Sequence, residues 1–318
     1  MNKAKQYLKS MAVILILIGM VACQTSAVQS NQYSNAQSYA TGDSAGGYTP
    51  ASYQPLTQGG SVLPAPTQLS EYSSSSRPAI RAESYLLVDA QTGQVLASQA
   101  ADVRRGVAST QKLLTALVVL QSGQLDQKIT IHESDGRVEP TKLGLKAGEV
   151  YSRRHLLYCL LIKSANDVAR ALARDNAGSV EAFTVKMNQM AQQLGCRQSR
   201  FVNPHGLTEA GQYSTARDMA LIARAAYLNP VVRDAAKRSY YSFRNNAGSV
   251  ITLKATNELL GRMSECTGLK TGYTVAAGRC LISSAQKRGK AVILVQLGTK
   301  TKYIWDDARL LMGWGLNQ

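Results

Sequence analysis

The rhythm of apolar positions divides the chain into strand-like ends around a helical middle. Tyr85–Val88 and Val95–Ser98 carry strand-type residues and are joined through Gln91-Thr92-Gly93, which predicts a hairpin. Ala108–Leu120 reads as a helix start followed by good helix formers, among them Leu113, Leu114, Ala116 and Leu117. From about Glu133 to Tyr227 the helical period dominates. Leu156, Leu157, Leu160, Leu161 and Ile162 make one helix face, another helical stretch starts near Val168, and Thr215 with Asp218 looks like a capped helix start. Strand-like segments return at Ser239–Phe243, Val250–Leu253, Gly268–Gly272, Arg279–Ala285 and Ala291–Leu297, and a last helix spans about Tyr303–Gly313. Strands at both ends with helices between predict an α/β (α+β) domain on one antiparallel sheet that brings the ends together. There is no internal repeat.

Upstream of this pattern the chain changes character. Met1–Cys23 has a basic start (Lys3, Lys5, Lys9) and an apolar run from Met11 to Ala22, too short for a stable membrane span, and reads as a secretory signal. Residues 24–80 are rich in Ser, Gln, Ala, Tyr and Gly and nearly free of charge, with no periodic apolar face. Such a segment buries too little surface to offset chain ordering and reads as a disordered tether, spanning on the order of 40 Å as a coil. Its five tyrosines (Tyr33, Tyr39, Tyr48, Tyr53, Tyr72) read as solvated. Residues 81–318 remain for one folded domain.

Three short segments carry candidate chemistry: Ser109-Thr110-Gln111-Lys112, Ser164-Ala165-Asn166 and Lys270-Thr271-Gly272. In that order they supply a nucleophile, a base, a proton relay and an anion clamp without a histidine. Each alone is weak. A Ser-x-x-Lys spacing arises about once by chance in a chain this long, and it recurs at Ser284 and Lys287. Local structure separates the two pairs. On a helix, positions three apart share a face, so Lys112 reaches Ser109. In the Leu281–Lys287 strand, leading to an Arg288-Gly289 turn, an odd offset puts Ser284 and Lys287 on opposite faces. Ser164 and Asn166 sit where an apolar helix ends and would face alike only in an extended connection; read alone they are helix caps. Gly272 inside a strand marks a bulge or the close approach of a ligand or backbone.

With these motifs the chain resembles the D-alanyl-D-alanine carboxypeptidases, the low-molecular-mass penicillin-binding proteins of the S11 peptidase type. The resemblance runs from about Ser84 to Leu316 and includes Leu161–Asp167, Phe201–Leu207, Ser214–Met219, Thr256-Asn257 with Leu259-Leu260, and Ala277-Gly278 ahead of Cys280-Leu281. It implies the penicillin-binding/β-lactamase-like transpeptidase fold, an antiparallel sheet flanked by helices with a helical subdomain, and a cleft between them. It implies an acyl-enzyme on Ser109, with Lys112 as base, Ser164 as relay to the leaving amine and Asn166 on the substrate amide. Lys270 and Thr271, beside Gly272, would hold the terminal carboxylate, and the N–H groups of Ser109 and Tyr273 would form the oxyanion hole. Substrates would be peptidoglycan stem peptides ending in D-Ala-D-Ala, with β-lactams as inhibitors and no cofactor or metal. Met20-Val-Ala-Cys23 resembles a bacterial lipobox, which implies export, lipidation of Cys23 and a membrane anchor. Family members often carry a further β domain and a terminal amphipathic helix. This sequence reaches Gln318 just past the catalytic segment, and the lipid is expected to take over the anchoring.

Three rivals stay open. A β-lactamase of class A has Asp where Ala165 stands and needs a deacylating glutamate that the stretch after Asn166 does not offer. An endopeptidase cutting D-alanyl cross-links uses the same site. An idle wall-binding lipoprotein would not need Ser109, Lys112, Ser164 and Lys270 intact.

Charge adds a hint. The chain carries 36 basic and 20 acidic residues, a net +16, or +13 without the three lysines of 1–23. This favours anionic polymers or lipid headgroups, and no basic run interleaved with aromatics suggests nucleic acid. Cys159, Cys196, Cys266 and Cys280 lack metal-site spacing. Cys266 and Cys280, on either side of Lys270, are expected to come near each other, and Cys159 to pack as a small hydrophobe. His205 falls in an Asn-Pro-His-Gly turn and reads as structural.

Overall fold

The computed structural model describes Leu69 and residues 77–318. The expected signal segment 1–23, the lipidation position Cys23 and almost all of the tether expected at 24–80 lie outside the described residues. Strands β1 (Ser84–Asp89), β2 (Val95–Gln99), β7 (Cys266–Thr274), β8 (Gly278–Lys287) and β9 (Lys290–Thr299) form an antiparallel sheet in the order β2-β1-β9-β8-β7. The first hairpin therefore pairs with the last strand, and the chain ends meet as the pattern predicts. The β8–β9 turn is made by Arg288 (φ 48°) and Gly289 (φ 84°), the left-handed pair that a two-residue hairpin needs.

Alternation along the strands feeds two cores. Ile293, Val295 and Leu297 of β9 face a large core, while Val292 and Leu294 face a smaller one. The large core is completed by α1 (Lys112–Gln121), α2 (Arg153–Ile162), α3 (Asn166–Ala177), α4 (Val180–Gln193), α5 (Ala216–Leu228) and α6 (Pro230–Ala236). The smaller one lies under α7 (Ile304–Gly315). Helix α5 starts where Thr215 Oγ1 accepts the Asp218 N–H at 3.0 Å, the expected cap.

Several expectations change. Ala108–Gln111 is a 3-10 turn, and the α-helix begins only at Lys112. The middle is less helical than its period suggests, because residues 137–149 and 195–214 run without an α-helix. Two short strands, β3 (Lys128–Thr130) just ahead of the middle and β4 (Val150–Ser152) within it, pair as a separate ribbon. Three residues are too few to display a period of two. Strands β5 (Tyr240–Arg244) and β6 (Val250–Lys254) also form their own ribbon instead of joining the main sheet. The register of β7 on β8 sets Gly272 opposite Cys280 and Cys266 opposite Ala285, so Cys266 and Cys280 are not neighbours. All four described cysteines are free thiols.

Candidate active site

The candidate residues come from three separate elements that meet at the edge strand β7. Ser109 stands on the 3-10 turn, Ser164 and Asn166 at the α2–α3 junction, and Lys270–Tyr273 in β7. Ser109, Ser164, Thr271, Gly272 and Tyr273 share one cleft of about 300 Å³ with Pro140 and Thr141. Close approach of the strand and of the 203–207 loop to the turn depends on one glycine in each. A Cβ on Gly272 would lie 2.8 Å from the Ser109 amide nitrogen, and one on Gly206 (φ +86°) would lie 2.1 Å from the Ala108 carbonyl oxygen. Ala108 itself (φ 47°) and Ser164 (φ 66°) hold left-handed conformations unusual for non-glycine residues. Such strain costs of order 1 kcal/mol or more each and is typical of functional sites.

The Lys112 amine is fully buried and has three partners: Ser109 Oγ at 2.8 Å, Asn166 Oδ1 at 2.7 Å and the His205 carbonyl at 2.6 Å. The Asn166 amide is oriented by its other end, where Nδ2 donates to the Pro140 carbonyl, an atom that can only accept. Two of the three lysine partners are thus carbonyl oxygens, and they fix two N–H bonds. The third position faces the Ser109 hydroxyl, which can accept or donate. An ammonium would donate to it; a neutral amine turns its lone pair toward it and can take its proton. Burial, with the nearby Lys270 charge as the second cause, pushes Lys112 well below the usual lysine range, partly opposed by Asp167. The charged form is therefore disfavoured relative to a free lysine.

Lys270 is 1 % exposed and lies on the β7 face that packs toward the Ser109 turn. Burial alone lowers its pKa to about 7, and Nζ donates to the Thr271 carbonyl at 2.9 Å. The Thr271 hydroxyl, in the same cleft as Ser109, meets Thr256 Oγ1 at 2.6 Å. Tyr273 is half exposed at the rim, with the Arg279 guanidinium 4.6 Å from its ring centroid. The rival pair separates as the strand periodicity predicts: Ser284 is buried against Thr267 (2.8 Å), and Lys287 is exposed near Glu265.

Sequence reasoning missed several parts. The His205 carbonyl serves the lysine, although the imidazole does not: burial and the Lys112 charge lower its pKa to about 3. That carbonyl is aimed by Asn203, which accepts from the Gly206 N–H (2.8 Å), and by Thr115, which donates to the Pro204 carbonyl (2.7 Å). Asp167 is also fully buried and accepts from the N–H groups of Leu143, Gly144, Leu145 and Val168, holding the loop that contributes Pro140. The available signals were the turn-forming Asn-Pro-x-Gly string and an acid next to Asn166. Cys280 lines the cleft, but burial raises its thiol to about 12, so it stays protonated and unreactive. Among the described residues no cluster of His, Cys, Asp or Glu could hold a metal ion.

A protonated Lys270 and a neutral Lys112 together set the pH dependence. Activity should fall in acid as Lys112 gains its proton, and fall again as Lys270 loses its own from about pH 7 upward. A bell-shaped kcat/KM profile is expected for a substrate with a terminal carboxylate. Lys270→Arg should move the alkaline limb up by more than about 2 pH units, because arginine stays charged. An unchanged alkaline limb in that variant would assign it to another group.

Comparison with known proteins bears on this arrangement. A sequence model of the S11 peptidases, described as D-alanyl-D-alanine carboxypeptidase, matches residues 71–301. The chain is 33% identical over 240 residues to the D-alanyl-D-alanine carboxypeptidase DacB2 of Mycobacterium tuberculosis, covering 74% of this chain and 82% of that protein. It is also 33% identical over 244 residues to the D-alanyl-D-alanine endopeptidase of Escherichia coli, covering 75% and 78%. The solved Streptomyces K15 DD-transpeptidase matches with a TM-score of 0.73 and 34% identity, covering 76% of this chain and 100% of that one.

Proposed function

Since the chain belongs to the S11 family of D-alanyl-D-alanine carboxypeptidases, we propose that it removes the terminal D-alanine of cell-wall stem peptides through an acyl-enzyme on Ser109. It is a serine-type D-Ala-D-Ala carboxypeptidase with the penicillin-binding transpeptidase fold. The observation that carries the mechanism is the 2.8 Å contact between Lys112 Nζ and Ser109 Oγ, with the amine's other partners both carbonyl oxygens.

Ser109 Oγ attacks the carbonyl between the last two D-alanines while its proton passes to Lys112. The oxyanion is met by the N–H groups of Ser109 and Tyr273, each donor contributing on the order of 3 kcal/mol. Tyr273 lies on an edge strand, where alternate N–H groups have no sheet partner. Ser164 carries the proton on to the leaving amine. Lys270 and Thr271 hold the terminal carboxylate. Asn166 steadies Lys112 and meets the substrate amide once the acyl portion enters. Water then attacks the ester, with Lys112 again as base, and frees Ser109.

An endopeptidase reading uses the same groups and is favoured only by the similarity to the Escherichia coli endopeptidase. Product analysis separates the two. Purified enzyme incubated with isolated muropeptides should release free D-alanine and convert pentapeptides to tetrapeptides. Loss of cross-linked dimers without D-alanine release would favour the endopeptidase.

Family members act on the cell wall outside the cytoplasm. We assign residues 1–23 to an export signal, 24–80 to a tether and Cys23 to a lipid anchor, on the basic start, short apolar run and Met-Val-Ala-Cys ending. Among the described residues no helix is long and apolar enough to cross a membrane. Cys23→Ser should leave the protein soluble or unprocessed in membrane fractionation. A processed Cys23→Ser protein that still sediments with membranes would place the anchor on another surface.

A further inference from the structure

A second cavity, of about 720 Å³, opens beside the cleft at the end of the sheet where β7 turns into β8. Its walls are Arg104–Gly106, just upstream of the Ser109 turn, Val275–Gly278 of the hairpin, and Gly298–Lys300 at the end of β9. It adjoins the active-site cleft along the chain, since Arg279 and Thr301 of the cleft follow Gly278 and Lys300 directly.

Its charge is one-sided. Arg81, Arg104, Arg105 and Lys300 line it together with one carboxylate, Glu83. Arg105 is committed to Glu83 and to Ser84 Oγ (2.7 Å), and Arg81 to the buried Asp307 at 3.3 Å. Arg104 and Lys300 have no carboxylate partner among the described residues. The Arg104 guanidinium lies 4.7 Å from the Tyr213 ring centroid, a contact that restrains it without neutralising it. In the wall, Thr299 is 4 % exposed and its hydroxyl has no hydrogen-bond partner.

Position gives the ligand. With the terminal carboxylate at Lys270 and Thr271 and the scissile carbonyl beside Gly272, the acyl portion runs on past Tyr273 toward Val275. Three strand residues cover about 10 Å. An acidic group two or three residues ahead of the scissile bond therefore falls at the mouth of the basic cavity. We propose that this cavity is a subsite for a carboxylate on the acyl portion of the wall peptide, held by Arg104 and Lys300. The proposal rests on the reading of Ser109 as the nucleophile.

Steady-state hydrolysis of three peptides by the full chain tests it. One is an N-blocked Lys-D-Ala-D-Ala with no acid ahead of the scissile bond. The second is a longer stem peptide with a free glutamyl carboxylate, and the third is its amide. The free acid should have a KM about fivefold below that of the amide, from two exposed charge contacts. The double variant Arg104→Gln with Lys300→Gln should erase that difference, leaving tripeptide turnover and penicillin labelling unchanged. Equal KM values for acid and amide in the unmodified protein, or a difference that survives in the double variant, overturn the proposal. So does loss of inorganic polyphosphate binding in the double variant with peptide KM values unmoved, which would give the cavity to a phosphate polymer. If the unmodified protein neither cleaves the tripeptide nor takes penicillin, the Ser109 reading falls and the subsite with it. Tripeptide cleavage without discrimination sinks the subsite alone.

Discussion

Ser109→Ala should abolish D-alanine release, lowering kcat by about 10⁵-fold or more, the scale seen when a serine hydrolase loses its nucleophile. The fold should survive. Ser109 sits on a 3-10 turn that is held by Thr110, whose hydroxyl donates to the Val107 carbonyl at 2.6 Å, and by Gln111, whose amide donates to the Asn203 carbonyl at 2.6 Å. Neither bond involves the Ser109 side chain. Lys112 keeps Asn166 and His205 as partners. Stability should change by less than about 3 kcal/mol, the net worth of the two hydrogen bonds made by Ser109 Oγ, with Lys112 and with the His205 carbonyl. The measurement is D-alanine release alongside thermal unfolding of both proteins. Residual turnover within a hundredfold of the unmodified enzyme, from a variant with an unchanged Tm, would mean that another group attacks.

Lys112→Arg should lose acylation almost as completely, by about 10³-fold or more, consistent with the loss of a general base. Protonation is the first reason. Burial and Lys270 disfavour the charged form of the amine, whereas a guanidinium keeps its proton at any working pH and has no lone pair to offer. Shape adds to the effect, since two carbonyl oxygens at 2.6 and 2.7 Å leave no room for a fork of five donors. Burying a permanent charge there will also lower stability, so folding is checked independently. Lys112→Met, similar in length and uncharged, provides a folded control lacking the base. Stopped-flow acylation by a chromogenic penicillin is the readout. A variant that keeps a tenth of the rate would place the base elsewhere.

Much of this site was legible in the sequence because its parts are local. Ser109 and Lys112 are three apart, Ser164 and Asn166 flank a helix junction, and Lys270–Gly272 lie in one strand. The terminal hairpins were legible because alternating residues feed two cores, as Val292–Leu297 do. The parts that stayed hidden are those made by backbone atoms and by contacts between distant segments. The His205 carbonyl orients Lys112 from 93 residues away, and a carbonyl leaves no mark in the identity of its residue. Asn166 was expected on the substrate amide alone. In the structure it also accepts from Lys112, and its orientation depends on Pro140, 26 residues upstream. The 3-10 turn at Ser109 is hidden within a helix start because its residues suit either form, and its close contacts with Gly206 and Gly272 come from outside the segment. Strands β3 and β4 were too short to show a period. The expected closeness of Cys266 and Cys280 failed on register, which neither cysteine determines.

On the mechanism proposed above, Ser109 is the acyl group's point of attachment by virtue of its contact with Lys112. Peptide mapping by mass spectrometry of the full chain after brief exposure to penicillin tests it most directly. A single adduct, at near one equivalent, is expected on the peptide containing Ser109. An adduct on the peptide containing Ser164 or Ser284, with the Ser109 peptide unmodified, would contradict it.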